Sequence, residues 1–369
     1  RQGLAPDGRR ALPAAAAPTT APAATAPAAS PAAPAVPDER WRAGREFDRL
    51  DGVLLRWPFD WSALRDEYVV MVRTIVAAGA TPTIWVDNAR QQRSALQLLR
   101  RGGVDVRQVQ WRVENTDSVW IRDYGPIYLY GPGDAGAPDW AVVDFHYYDG
   151  RPNDDDTPRQ VALPAGKAVV DREATQRVYT EGGNISTDGL GAVLYSTRTY
   201  QRNPAVPRAT IDQRIASALN ATRPLVLQDP SLDGTGHVDM FSKIIGPATV
   251  LVGRYDADEV DHPVLEANAA ALAAALDGAG QPWNVVRIRQ PDVYFEGVVN
   301  PVVRTYTNSL IVNDHVIVPT YGIADDGPAL ALYAQLFPGK TIVPLDARQI
   351  IPSAGAWHCV TMEFPAPAP

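Results

Sequence analysis

Apolar and polar positions along this chain follow two alternating rhythms. Short runs rich in Val, Ile, Leu and aromatic residues, at 52–57, 83–86, 141–145, 192–195, 249–252 and 310–319, predict strands. Between them, 62–79, 94–101 and 264–276 place apolar residues three and four apart, which predicts helices, with Gly79 as the C-cap of the first. Strands alternating with helices predict an α/β fold. Strand-like cores recur near Val53, Ile127, Val193, Val250 and Val316. Their separations of about 57 to 74 residues would fit five repeated β/α modules around an axis.

The segment 11–37 departs from both rhythms, being almost wholly Ala and Pro. Its prolines bar a continuous helix and nothing in it can pack a core, so residues 1–40 are expected to form a disordered tether. Residues 41–366 are then expected to form a single catalytic domain, a length that can bury a large core. Such a tether favours an extracytoplasmic enzyme, with a cytoplasmic one as the alternative. No apolar run approaches the ~18 residues of a membrane helix. The formal charge of -8 disfavours nucleic acid and favours cationic partners.

Chemistry is confined to a few places. One cysteine and five histidines exclude a disulfide framework and any multi-cysteine metal site. Signatures such as the P-loop, the G-x-S-x-G elbow and the H-E-x-x-H helix are missing. Four segments carry polar residues in Gly-rich or apolar settings. Trp120-Ile121-Arg122-Asp123-Tyr124-Gly125-Pro126 reads as a strand running into a turn, with Asp123 at its end. Thr180-Glu181-Gly182-Gly183-Asn184 sets a carboxylate beside two glycines that allow close backbone approach. In Gly236-His237-Val238-Asp239, spacing on a strand would point His237 and Asp239 to one face. Ala354-Gly355-Ala356-Trp357-His358-Cys359 presents the sole thiol just before a strand-like run.

These residue types suit one reaction. A guanidinium is planar, resonance-stabilised and charged near neutral pH. Carboxylates are needed to grip its N–H groups, a soft nucleophile to attack its carbon, and an acid to protonate the departing ammonia. No metal or other cofactor is required.

Together with Arg304–Asn308 and His358-Cys359-Val360-Thr361, these segments resemble the family of Porphyromonas-type peptidyl-arginine deiminases and bacterial agmatine deiminases. The resemblance implies a pentein α/β-propeller of five pseudo-symmetric ββαβ modules. It implies Cys359 as nucleophile, His237 as general acid/base, and Asp123 and Asp239 as the guanidinium-binding carboxylates. Glu181 would orient the histidine. Asn308 would belong to the active-site wall, and Trp120 and Arg122 would join it on the substrate side. The implied course is a covalent thiouronium intermediate that water releases as a ureido product.

For substrate, Asp149-Gly150-Arg151 resembles the loop that carries two carboxylate-binding arginines in the peptidyl-arginine branch, with only Arg151 matching. Peptidyl arginine is the main expectation and agmatine the alternative. An amidinotransferase of the same fold and a zinc hydrolase using His237, Asp239 and His358 stand further off. A rival of another class is a non-catalytic guanidine- or peptide-binding module, supported by Ala356-Trp357 where the family has a glycine-rich run.

Overall fold

Val, Ile, Leu and Tyr concentrate in short strands, which group into five sheets of three or four strands and one two-stranded hairpin among the described residues. The computed structural model describes residues 37–133, 138–171 and 177–366. The expected tether lies outside these except for 37–40, where Asp38 pairs with Arg40.

One connection pattern recurs in all five sheets: two antiparallel strands, then a helical crossover to a third strand parallel to the second. Leu310–Val312 pairs antiparallel with His315–Thr320, and the helix Asp326–Leu336 leads to Thr341–Asp346, parallel to it. Ser242–Gly246, Thr249–Arg254, His262–Ala274 and Asn284–Arg289 repeat the scheme. So do Ser186–Thr187, Ala192–Ser196 and Arg223–Leu227 across the helix Arg208–Ala218. Ile127–Pro132, Pro138–Asp144 and Val169–Asp171 form the fourth case. The fifth joins the two ends of the described chain. Thr361–Pro365 pairs antiparallel with Leu50–Arg56, and the helix Arg65–Ala77 leads to the parallel strand Thr81–Val86.

Burial explains the helices. Arg65–Ala77 turns Tyr68, Met71, Val72 and Ile75 into the largest core cluster, each such side chain contributing about 1.5–3 kcal/mol. Ala89–Arg101 starts earlier than its apolar spacing predicts, because the Asn88 side chain accepts from the Arg90 and Gln91 backbone N–H groups, a cap worth about 1 kcal/mol.

Two strand expectations need correction. The run 310–319 is two strands rather than one, broken at Asn313 with φ of 50°, a conformation asparagine tolerates. The Asn313 side chain then ties Leu50 to Ala78: its Oδ1 accepts from the Leu50 N–H, and its Nδ2 donates to the Leu50 and Ala78 carbonyls. Ile121–Tyr124 is a helical turn, not a strand. Tertiary bonding overrides its apolar alternation: the Arg122 N–H donates to the Cys359 carbonyl at 3.1 Å.

Candidate active site

One side chain holds the loop that presents the thiol. Asn308 is fully buried, and its amide oxygen accepts from the backbone N–H groups of Ala356 and His358 at 3.1 Å each and of Cys359 at 3.4 Å. Its amide nitrogen donates to Cys359 Sγ at 3.0 Å. Ala354 enters the loop in the left-handed region, φ 61°. At Gly355 a Cβ would lie 2.6 Å from the Trp120 ring and 3.2 Å from the Cys359 sulfur, so the loop passes there only without a side chain. Trp357 anchors the far side: it is buried and its Nε1 donates to the Leu345 carbonyl. Ala356 and Trp357 are thus both packed in the interior, one bonded to Asn308 and the other to Leu345.

A second bare glycine gathers the acids and the imidazole. A Cβ on Gly183 would sit 2.7 Å from Asp123 Oδ1, 2.8 Å from His237 Nδ1 and 3.2 Å from Asp239 Oδ2. Asp123 comes from the helical turn bonded to the cysteine loop, and its Oδ1 accepts from the Gly183 N–H at 3.2 Å. His237 and Asp239 do not share a strand face. His237 caps a 3-10 turn, Val238–Met240, whose first N–H donates to the Asn184 side chain at 3.1 Å. The turn achieves the same convergence by another route. Asp239 Oδ2 lies 3.7 Å from Cys359 Sγ, and its Oδ1 is buried without a hydrogen-bond partner among the described residues. His237 stands between Asp123 at 3.4 Å and Glu181 at 3.7 Å, and Glu181 pairs in turn with Arg202 at 3.2 Å.

The electrostatics follow from this crowding. Burial works against a charged imidazole, but Asp123 and Glu181 outweigh it and hold His237 well above its ordinary pKa. Burial would raise Glu181, yet the hydrogen bond and charge of His237, with Arg202, bring it down to about 2. Burial raises Asp123 despite His237 beside it. Burial, then the charges of Asp239 and Asp123, push the Cys359 thiol well above the ordinary range. Chemically, the site is a proton donor and a neutral thiol among acids prepared for a cation.

The sequence profile of the Porphyromonas-type peptidyl-arginine deiminases matches residues 42–365. The chain belongs to that family. It is a guanidine deiminase. A provisionally named agmatine deiminase of Streptomyces coelicolor is 30% identical over 298 residues, covering 77% of this chain and 85% of its own length. The agmatine deiminase of Stutzerimonas stutzeri is 28% identical, covering 73% of this chain and 80% of its own. The solved agmatine deiminase of Enterococcus faecalis shares the mixed α/β fold with a TM-score of 0.77 at 22% identity, covering 89% of this chain and 97% of that one.

Other residues of this deiminase sit where the sequence did not put them. Arg122 is committed to an internal ion pair. It is buried, its guanidinium is bound to the Glu363 carboxylate, and its Nε donates to the His358 carbonyl at 3.4 Å. A buried guanidinium requires such a carboxylate, and Glu363 supplies it. Asn308 serves the thiol loop rather than an open wall. Trp120 does stand beside the thiol, edge-on to Trp61 at 6.3 Å. Arg151 lies over the rings of Tyr147 and Tyr148 at 5.9 and 5.3 Å and donates to Tyr147 Oη at 3.0 Å. Tyr148 reaches the edge of the site: its hydroxyl accepts from Arg202, which lies over its ring at 4.7 Å and pairs with Glu181. Sequence reasoning missed Tyr148 and Arg202, which carry no local signature. His358, which the sequence offered only as a zinc ligand, instead has its Nδ1 2.7 Å from Asp239 Oδ2.

Proposed function

We propose that this deiminase hydrolyses agmatine to N-carbamoylputrescine and ammonia through a covalent intermediate on Cys359. The convergence of Asp123, His237 and Asp239 on the bare face of Gly183, with Asp239 reaching Cys359, carries the reading. A planar cation there can give its N–H groups to Asp123 and Asp239, whose buried Oδ1 has no other partner among the described residues. The bound charge offsets both acids and lowers the thiol pKa, so the thiol releases its proton to solvent and the sulfur attacks the guanidinium carbon as a thiolate. His237 protonates the departing nitrogen as ammonia leaves, giving the thiouronium. It then takes a proton from the attacking water, and collapse of that adduct returns the sulfur and frees the ureido product. The recurring ββαβ sheets support reading the whole as a five-module α/β-propeller.

Peptidyl arginine, the main expectation from the sequence, gives way to agmatine on two grounds. The curated relatives above carry the name agmatine deiminase. Where a second carboxylate-binding arginine is expected stands Asp149, paired with Arg177 at 2.8 Å, an acid that disfavours carboxylate substrates. The placement of Arg151 over two tyrosines, rather than on a carboxylate, keeps peptidyl arginine as the second reading.

Ureido product should be assayed with agmatine, benzoyl-arginine amide and an internal-arginine peptide. Agmatine should give kcat/KM at least about 100-fold above the others, and Cys359→Ser should lose all three activities while keeping its Tm. Preference for either arginine derivative would overturn the substrate assignment. Full activity in the serine variant would remove the thiol mechanism.

A further inference from the structure

A second cavity adjoins the thiol loop, and the reaction as described leaves it unused. Its volume is about 350 Å³, and Asp60, Trp61, Asp117 and Trp120 are among its walls. Arg56 and Asp87 line it as well, at the carboxyl ends of the parallel strands Leu50–Arg56 and Thr81–Val86. Such strand ends are where α/β sheets take their ligands. Trp120 links this cavity to the chemistry. A Cβ on Gly355 would meet the Trp120 ring at 2.6 Å and Cys359 Sγ at 3.2 Å, so the indole that walls the cavity also borders the sulfur.

The walls suit an organic cation. Three carboxylates and one guanidinium line the cavity, an excess of negative charge. Arg56 is already bound to Asp87 at 2.6 Å, and the Asp87 carboxylate also accepts from the Gln91 side chain. Asp117 accepts from the Asn153 and Asp154 N–H groups and from the Asn153 side chain. Asp60 is exposed and has no such partner among the described residues. The Trp61 and Trp120 rings meet at 73° with centroids 6.3 Å apart, so each keeps at least one face clear of the other. An indole face attracts an ammonium, and its apolar area suits methylene groups.

We propose that this cavity holds the ammonium end of the substrate, with Asp60 as its counter-ion and the Trp61 and Trp120 rings against the chain leading to it. The inference rests on the reading of agmatine as substrate. Agmatine carries a guanidinium and an ammonium at opposite ends of a butyl chain. The acids around Gly183 take the first, and this cavity takes the second. Peptidyl arginine has neutral amide groups in place of that ammonium and offers Asp60 no charge, so the cavity selects guanidines that bear a second cation.

Butylguanidine keeps the chain and lacks the ammonium, which isolates the contribution of this subsite. Wild-type enzyme should turn over agmatine with kcat/KM about fivefold or more above butylguanidine, and Asp60→Asn should bring that ratio close to one. A ratio unmoved by Asp60→Asn would overturn the inference, as would a wild type without preference for agmatine. Calorimetric titration with putrescine, which has ammonium ends and no guanidinium, decides the same question without turnover. Its affinity should weaken about fivefold in Asp60→Asn. Equal affinity in the two proteins, or no binding to wild type, would sink the assignment. Absence of ureido product from both guanidines would instead remove the proposed function, and the titration would still decide whether the cavity takes an ammonium.

Discussion

Cys359, the nucleophile of the proposed reaction, is a thiol kept in reserve. Its sulfur accepts from Asn308 at 3.0 Å, which favours the thiolate, but burial and the charges of Asp239 and Asp123 act the other way and prevail. A thiol in that state is slow toward neutral reagents and gains reactivity only when a cation enters among the acids. In the free enzyme, alkylation of Cys359 by iodoacetamide should be more than about tenfold slower at pH 7 than for an unperturbed thiol, and the rate should still climb past pH 9. A plateau below pH 8 would mean that the site stabilises the thiolate unaided. The same residues explain what was legible at this scale. Cys359, His237, Asp123, Asp239 and Glu181 stand out in the sequence because small or apolar neighbours isolate them. Arg202 does not, since its partner Glu181 lies in a different element and the contact exists only after folding.

Loops and turns, rather than regular strands, place these groups, and one loop pair carries a pH-sensitive tie. Asp154 is fully buried and accepts from the Asp117 N–H at 2.7 Å, the Ser118 N–H at 3.2 Å and the Ser118 hydroxyl at 2.8 Å. It thereby straps the segment leading to Trp120 and Asp123. Burial outweighs these donors and raises its pKa to about 6 from an ordinary 3.8. The folded state therefore binds the extra proton between those values. Asp154 favours folding as pH falls from about 6 toward 4, and that contribution, up to about 3 kcal/mol, is lost as pH rises back through 6. Asp154→Asn has no such proton. Between pH 7.5 and 4.5 the Tm difference should move several degrees in favour of wild type, and a pH-independent difference would refute the assignment. Elements were legible where period and burial agree, as in Arg65–Ala77. They were misread where a contact distant in sequence decides the backbone, as at Ile121–Tyr124, whose turn is bonded to the Cys359 loop.

At the scale of the whole molecule, the two ends of the described chain meet in one sheet, and the site depends on that closure. Thr361–Pro365 pairs with Leu50–Arg56, so the strand that completes the sheet follows directly on the Cys359 loop. Glu363 of this strand neutralises Arg122, which adjoins Asp123 in the chain and whose backbone N–H holds the Cys359 carbonyl. Both side chains are about 5% exposed, so each depends on the other for its charge. Removing one partner of such a buried pair costs about 3–5 kcal/mol, whereas replacing both by apolar groups of similar size is often neutral. Glu363→Ala should lower Tm by roughly 10 °C, given the 2–4 °C per kcal/mol expected for a chain of this size. Adding Arg122→Met to it should restore most of that loss, because no uncompensated guanidinium remains. A thermal-unfolding series on the two single variants and the double variant tests this directly. Additive losses in the double variant would show that the pair acts as two independent contacts and that the closing strand is held by backbone pairing alone.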